Sequence, residues 1–224
     1  VSIDEDAGAD RFGTTAFYAG LGRAFVAMCA LIPVLFGVEL LDLATHHRLD
    51  QAGGIIPHRL DGLDGIVFAP FLHANLQHLY GNSVPLIITG TFVLATGVRR
   101  FLLVTAFIAV TSGLGTWLTA SPDVVVIGAS GVIFGYLGYL LVRGVVERSW
   151  WGIAVGVLVG LLYGAQISGV LPTDERISWQ AHLFGLLGGV LAAVLFRRRR
   201  PPTGTPTDPV AVPDPAGTGP DPPP

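Results

Sequence analysis

Lysine is absent from this sequence, and the 13 basic residues are all arginine, a compositional bias of the source rather than a functional signal. Charge is scarce altogether: 13% of the 224 residues are charged, about half the usual share for a soluble domain. The formal net charge of -3 excludes the basic footprint of a nucleic-acid-binding protein. One cysteine, Cys29, excludes an internal disulfide, and its place inside an apolar run makes it a small packing residue. The N-terminus lacks a basic n-region and carries Asp4, Glu5, Asp6 and Asp10 instead. No cleavable signal is therefore expected, and the first apolar run should remain as a helix.

What the chain has in abundance is apolar sequence. Hydrophobic residues make up 51%, and the mean hydropathy is +0.61. Six segments stand out, at 22–43, 79–97, 101–120, 129–146, 150–168 and 180–196. A helix needs about 20 apolar residues to cross the bilayer core, so a soluble globular domain is excluded and a polytopic membrane protein is expected. The runs are near-continuous rather than alternating, which favours helices over barrel strands. With the N-terminus in the cytoplasm, ten arginines fall inside (Arg11, Arg23, Arg99, Arg100, Arg143, Arg148 and Arg197 to Arg200) and three outside (Arg48, Arg59 and Arg176). The excess of inside arginine places both termini in the cytoplasm.

Three units follow: a cytoplasmic segment 1–21, a membrane domain 22–196, and an arginine-rich stop with a proline-rich tail over 197–224. The tail holds 10 of the 16 prolines and should be disordered. Its arginine run reads as a stop to translocation. The connection at 44–72 is long for so small a protein. With Ile55, Ile56, Ile66, Val67 and Phe68 it is too apolar for a solvated linker, so it should lie on or in the membrane surface.

Polar groups inside apolar segments are expensive and signal function. His78 and Asn82 open the second segment, Ser130 the fourth and His182 the sixth. In the expected topology all four lie near the outer ends of their helices, as one convergent site requires. Ser130, in Gly128-Ala129-Ser130-Gly131, is a candidate nucleophile needing a base. His182 is the candidate base. Gly185 and Gly189 on its helix and Gly131, Gly135 and Gly138 on the fourth form small faces that permit close approach. His78 and Asn82, four apart, share a helix face and can donate to an oxyanion with the Ser130 N–H; a polar pair capping a helix is the plainer reading. His73 reads as a supporting or loop-anchoring group. Phe134 lies on the Ser130 face, either stacked on His182 or packed in the core.

These residues resemble the rhomboid family of intramembrane serine proteases. The matching elements are His73-x4-His78-x3-Asn82, Gly128-x-Ser130-Gly131 and Ala181-His182-x2-Gly185-x3-Gly189, in the family's order, over about residues 22–196. The resemblance implies an all-α, six-transmembrane-helix bundle with a long membrane-associated first loop. It implies a hydrolase cutting substrate transmembrane helices near the outer membrane face. Ser130 would be nucleophile and His182 general base. His78, Asn82 and the Ser130 N–H would form the oxyanion hole, and Gly128 would keep the substrate groove open. The fifth segment would be the mobile gate. Two departures stand: the Trp-Arg pair of many members' first loop is missing, and Phe134 takes a place where some relatives carry tyrosine.

The implied partners are transmembrane protein substrates and the lipid bilayer, with no nucleic acid; oligomeric state is left open. No cofactor is expected. A metalloprotease built on His73, His78 and His182 lacks both an H-E-x-x-H motif and an accompanying acid. A transporter would show inverted repeats, and none is detected. An inactive rhomboid-like protein that binds membrane helices is the remaining alternative.

Overall fold

The computed structural model describes residues 12–172 and 178–197. The acidic N-terminus with Arg11, the outer Arg176, Arg198 to Arg200 and the proline-rich tail lie outside the described residues.

Each apolar segment is a helix, because a chain in lipid must satisfy its backbone polar groups internally. The helices are α1 (Thr15–Ala44), α2 (Arg48–Gly53), α3 (Gly65–Phe68), α4 (Leu76–Leu94), α5 (Val98–Thr119), α6 (Ser130–Val146), α7 (Trp150–Tyr163) and α8 (Trp179–Leu195). The described residues contain no strand, only an isolated antiparallel bridge between Ile55 and Val126. Side-chain caps set several helix starts. Thr14 accepts from the Phe17 N–H, Asn75 from His78, Ser149 from Gly152 and Ser178 from Ala181.

The bundle is arranged around α6. Ten consecutive residues, Gly131 to Leu140, are buried, as expected of a helix enclosed by others. The outer helices do the reverse: Val26 of α1 is 66% exposed and Leu161 of α7 81% exposed. Apolar side chains bared on this scale mark a lipid-facing surface. The protein is an all-α integral membrane bundle. Three helical stretches, Thr15–Ala44, Val98–Thr119 and Trp150–Val170, are long and apolar enough to cross a membrane by themselves. The helices α6 and α8 are shorter, at 17 residues each.

Backbone-to-backbone contact joins α6 to α8. A Cβ on Gly185 would overlap the Gly131 carbonyl, and one on Gly189 would overlap the Gly135 carbonyl. At the far end of α6, Glu147 accepts from Arg143 at 2.9 Å and also from Arg100 of α5, while Arg100 donates to the Phe196 carbonyl after α8. The Glu147 and Arg100 side chains are 8% and 11% exposed. Glu147→Ala should cost about 1.5–3 kcal/mol, the range for losing a hydrogen bond to a charged group. Thermal unfolding in detergent measures this loss; an unchanged midpoint would show that the network adds nothing.

The long first connection is folded. Its Ile66 fits against Gly113 of α5, and its Leu60, Val67 and Phe68 point outward. Without that Trp-Arg pair, the first connection is tied to α5 by other contacts. Trp117 Nε1 of α5 donates to the Arg59 carbonyl at 2.8 Å, and His58 Nε2 lies 3.1 Å from the Ala120 carbonyl.

Candidate active site

The starts of α4, α6 and α8 converge on a cavity of about 970 Å³ lined in part by His78, Asn82, Gly128, Ser130, Phe134 and His182. The connection into Ser130 is held from the first loop. Ile55 and Val126 exchange hydrogen bonds of 2.9 and 3.0 Å, and the Gly128 N–H donates to the Ala69 carbonyl at 2.9 Å.

Ser130 Oγ and His182 Nε2 are 2.9 Å apart, and His182 Nδ1 is 3.0 Å from the Gly169 carbonyl. A carbonyl only accepts, so Nδ1 must carry the proton. Nε2 is then the acceptor and receives the serine hydroxyl. The Phe134 ring stacks on the imidazole, with centroids 4.0 Å apart and planes 7° from parallel. Of the two readings of Phe134, the structure takes the stacked one.

Gly128 has φ +119°. A Cβ there would come within 2.6 Å of His78 Cε1, 2.9 Å of His78 Nε2 and 3.7 Å of Asn82 Nδ2. Glycine thus allows the backbone beside the serine to touch both polar side chains. Asn82 is 7% exposed, and its Nδ2 has no hydrogen-bond partner among the described residues. A buried donor without an acceptor is costly, and this one adjoins the cavity. The Ser130 N–H belongs to the first turn of α6, where amides lack intrahelical partners.

His73 lies behind this group, 1% exposed, its ring edge-to-face with His78 at 5.2 Å. Burial, and secondarily the nearby His78, lowers its pKa to about 4, so it is neutral at physiological pH. The fold therefore assembles Ser130, His182, His78, Asn82, Gly128 and Phe134 around one cavity, with His73 as backing. Two contributors escape the sequence reading. Gly169 acts through its carbonyl, which has no residue-type signature. Ser112 donates to the Ala181 carbonyl at 2.9 Å, steadying the start of α8 against α5; its hydroxyl inside the third apolar segment was the available signal.

Fold and site together define a helical integral membrane protein with a hydrogen-bonded serine and histidine facing an open cavity. Residues 62–199 match the family model of the Rhomboid domain, and the chain belongs to the rhomboid family. The family acts on membrane-protein substrates within the bilayer, and relatives named as rhomboid proteases support intramembrane proteolysis at the level of the family. It is similar to an uncharacterized protein of Mycobacterium tuberculosis, 42% identical over 173 residues, covering 74% of this chain and 72% of that one. It is similar to Rhomboid-type serine protease 2 of Yarrowia lipolytica, 30% identical over 59% of this chain and 46% of that one. It is also similar to Rhomboid protease GluP of Bacillus subtilis, 32% identical over 54% of this chain and 24% of that one.

Proposed function

We propose that this protein is a serine endopeptidase that cleaves transmembrane helices of membrane proteins near the outer membrane face, with Ser130 as nucleophile and His182 as general base. The observation that carries this reading is the Ser130–His182 hydrogen bond, given its direction by the Gly169 carbonyl. A substrate helix unwinds locally and presents its scissile carbonyl to Ser130. Oγ attacks as Nε2 takes its proton, and the imidazolium then protonates the leaving amine. Water from the cavity, activated by the same Nε2, hydrolyses the acyl-enzyme.

The oxyanion falls among the Ser130 N–H, His78 and Asn82. Asn82 Nδ2 supplies a donor whose acceptor arrives only with the reacting carbonyl, which favours the transition state over the resting enzyme. Among the described residues, no carboxylate hydrogen-bonds the His182 imidazole. The Gly169 carbonyl fixes the tautomer and the Phe134 ring fixes the imidazole plane, so orientation is achieved without burying a charge in hydrocarbon.

Helix length supports a recessed site. A 17-residue helix spans about 25 Å, short of the roughly 30 Å hydrocarbon core. With the far ends of α6 and α8 at the inner interface, Ser130 and His182 at their starts sit below the outer one, and water reaches them through the cavity. Six helices (α1 and α4 to α8) then span, and the membrane domain is 22–196. The flanks 1–21 and 197–224 lie in the cytoplasm, consistent with the arginine placement.

The test is cleavage of a model transmembrane substrate in proteoliposomes, combined with a serine-directed covalent probe. Labelling at Ser130 and blocked cleavage are expected; chelator-sensitive cleavage with no labelling would overturn the assignment. Asn82→Ala should lower kcat by about 10²–10³ with KM nearly unchanged. Its unfolding midpoint should stay close to wild type, because the amide nitrogen has no partner to lose. An equal fall in activity and stability would instead mark Asn82 as a packing residue.

A further inference from the structure

A second polar cluster lies at the end of α1. Glu39 and Asp42, three apart on that helix, are each 1% exposed. The chain then turns through His46 and His47 in left-handed conformations, φ 57° and 59°. This turn brings His47 Nδ1 to 3.0 Å from Asp42 Oδ2 and 3.5 Å from Asp50 Oδ2. Asp42 Oδ1 is occupied, accepting the N–H groups of Leu49 at 2.7 Å and Asp50 at 3.3 Å. Its Oδ2 faces the histidine.

The ligand atoms of Asp42, His47 and Asp50 all lie within 4.8 Å of one another. The independent observation is Glu39. Neither of its buried carboxylate oxygens has a hydrogen-bond partner among the described residues, nor does Asp50 Oδ1. Glu39 is close enough to Asp42, His47 and Asp50 for its charge to interact with theirs. The Asp42 and Asp50 carboxylates thus meet a single imidazole, with the buried Glu39 carboxylate close enough to interact electrostatically, and a buried carboxylate without a partner is expensive.

We propose that Asp42, His47 and Asp50 bind a divalent transition ion of the zinc class, with Glu39 backing the site. Two donor spacings fit, and the third pair, Asp42 and Asp50, lies within 4.8 Å. Zinc bonds of about 2.0–2.2 Å put neighbouring donors about 3–3.5 Å apart, which is the separation of His47 Nδ1 from the two aspartate oxygens. An imidazole among carboxylates suits zinc better than calcium or magnesium, which take oxygen donors. The His47 side chain is 46% exposed, so water and ions reach the site from its side while the acids form the buried wall. The ion has to displace the proton on Nδ1, as metal binding to histidine generally does.

Bound there, the ion ties the end of α1 to α2. Two residues past α2, Ile55 pairs with Val126 on the approach to Ser130. The site is thus a clip on the scaffold that leads to the cavity, and it stands whether or not the chain is proteolytic.

The experiment uses the full chain purified in detergent, stripped with chelator and titrated with zinc by calorimetry, alongside thermal unfolding. One zinc per chain and a raised unfolding midpoint are expected. His47→Asn, which tolerates the left-handed backbone, and Asp50→Asn should each weaken binding by about tenfold or more. Cobalt should give the visible bands of a mixed nitrogen–oxygen site, lost in both variants. The absence of zinc binding overturns the proposal, because protons alone then hold the cluster. Binding unchanged in both variants overturns it equally, because the zinc then sits on other histidines.

Discussion

Ser130→Ala is expected to leave a folded protein with no measurable cleavage of a transmembrane substrate. Losing a nucleophile from a concerted dyad removes on the order of 10⁶ in kcat in well-studied serine hydrolases. Among the described residues the Ser130 side chain makes one hydrogen bond, to His182, so the unfolding midpoint should move little. His182→Ala should be equally inactive, and the double variant no worse than either single one, because neither group works without the other. Single-turnover measurements on all three variants check this. Additive losses would mean that the two residues act separately and would refute the dyad.

The second large effect concerns a residue with no side chain. Gly185→Val should destabilise the protein by about 3 kcal/mol or more, above the ordinary cost of overpacking. The obstacle is the Gly131 backbone carbonyl rather than a movable side chain. The only relief is to separate α6 from α8, and Ser130 and His182 sit at the starts of these two helices. A shift of about 1 Å can cost 10²-fold in rate, so activity should fall even in the folded fraction. Thermal unfolding and specific activity per folded molecule distinguish the two losses. A variant of wild-type stability would show that the helices have more room than their backbones indicate.

Much of the fold is legible from consecutive residues. Whether a segment enters lipid depends on its own hydropathy, so the six apolar segments coincide with α1 and α4 to α8 within about three residues, except that α1 starts earlier, at Thr15, and α7 ends earlier, at Tyr163. The candidate site is legible for a related reason. A histidine, an asparagine or a serine within such a segment is costly enough to stand out, and Ser130, His182, His78 and Asn82 do. Glu39 and Asp42 carried the same signal within the first segment. Their meaning depends on His47 and Asp50 across a turn, and it emerges only when the turn is seen.

The sequence by itself determined that this is a helical membrane protein and which polar side chains it holds within its apolar segments, because local composition sets partition into lipid. Tertiary structure decided the rest. It placed Ser130 against His182, which is 52 residues away. It brought the carbonyl of Gly169 to His182 Nδ1 and anchored the first loop through Trp117. It left Glu39 buried without a hydrogen-bond partner among the described residues, near the turn that carries His47. Each of these depends on where distant backbones meet, and the close approach of α6 to α8 is possible because glycine leaves nothing between them.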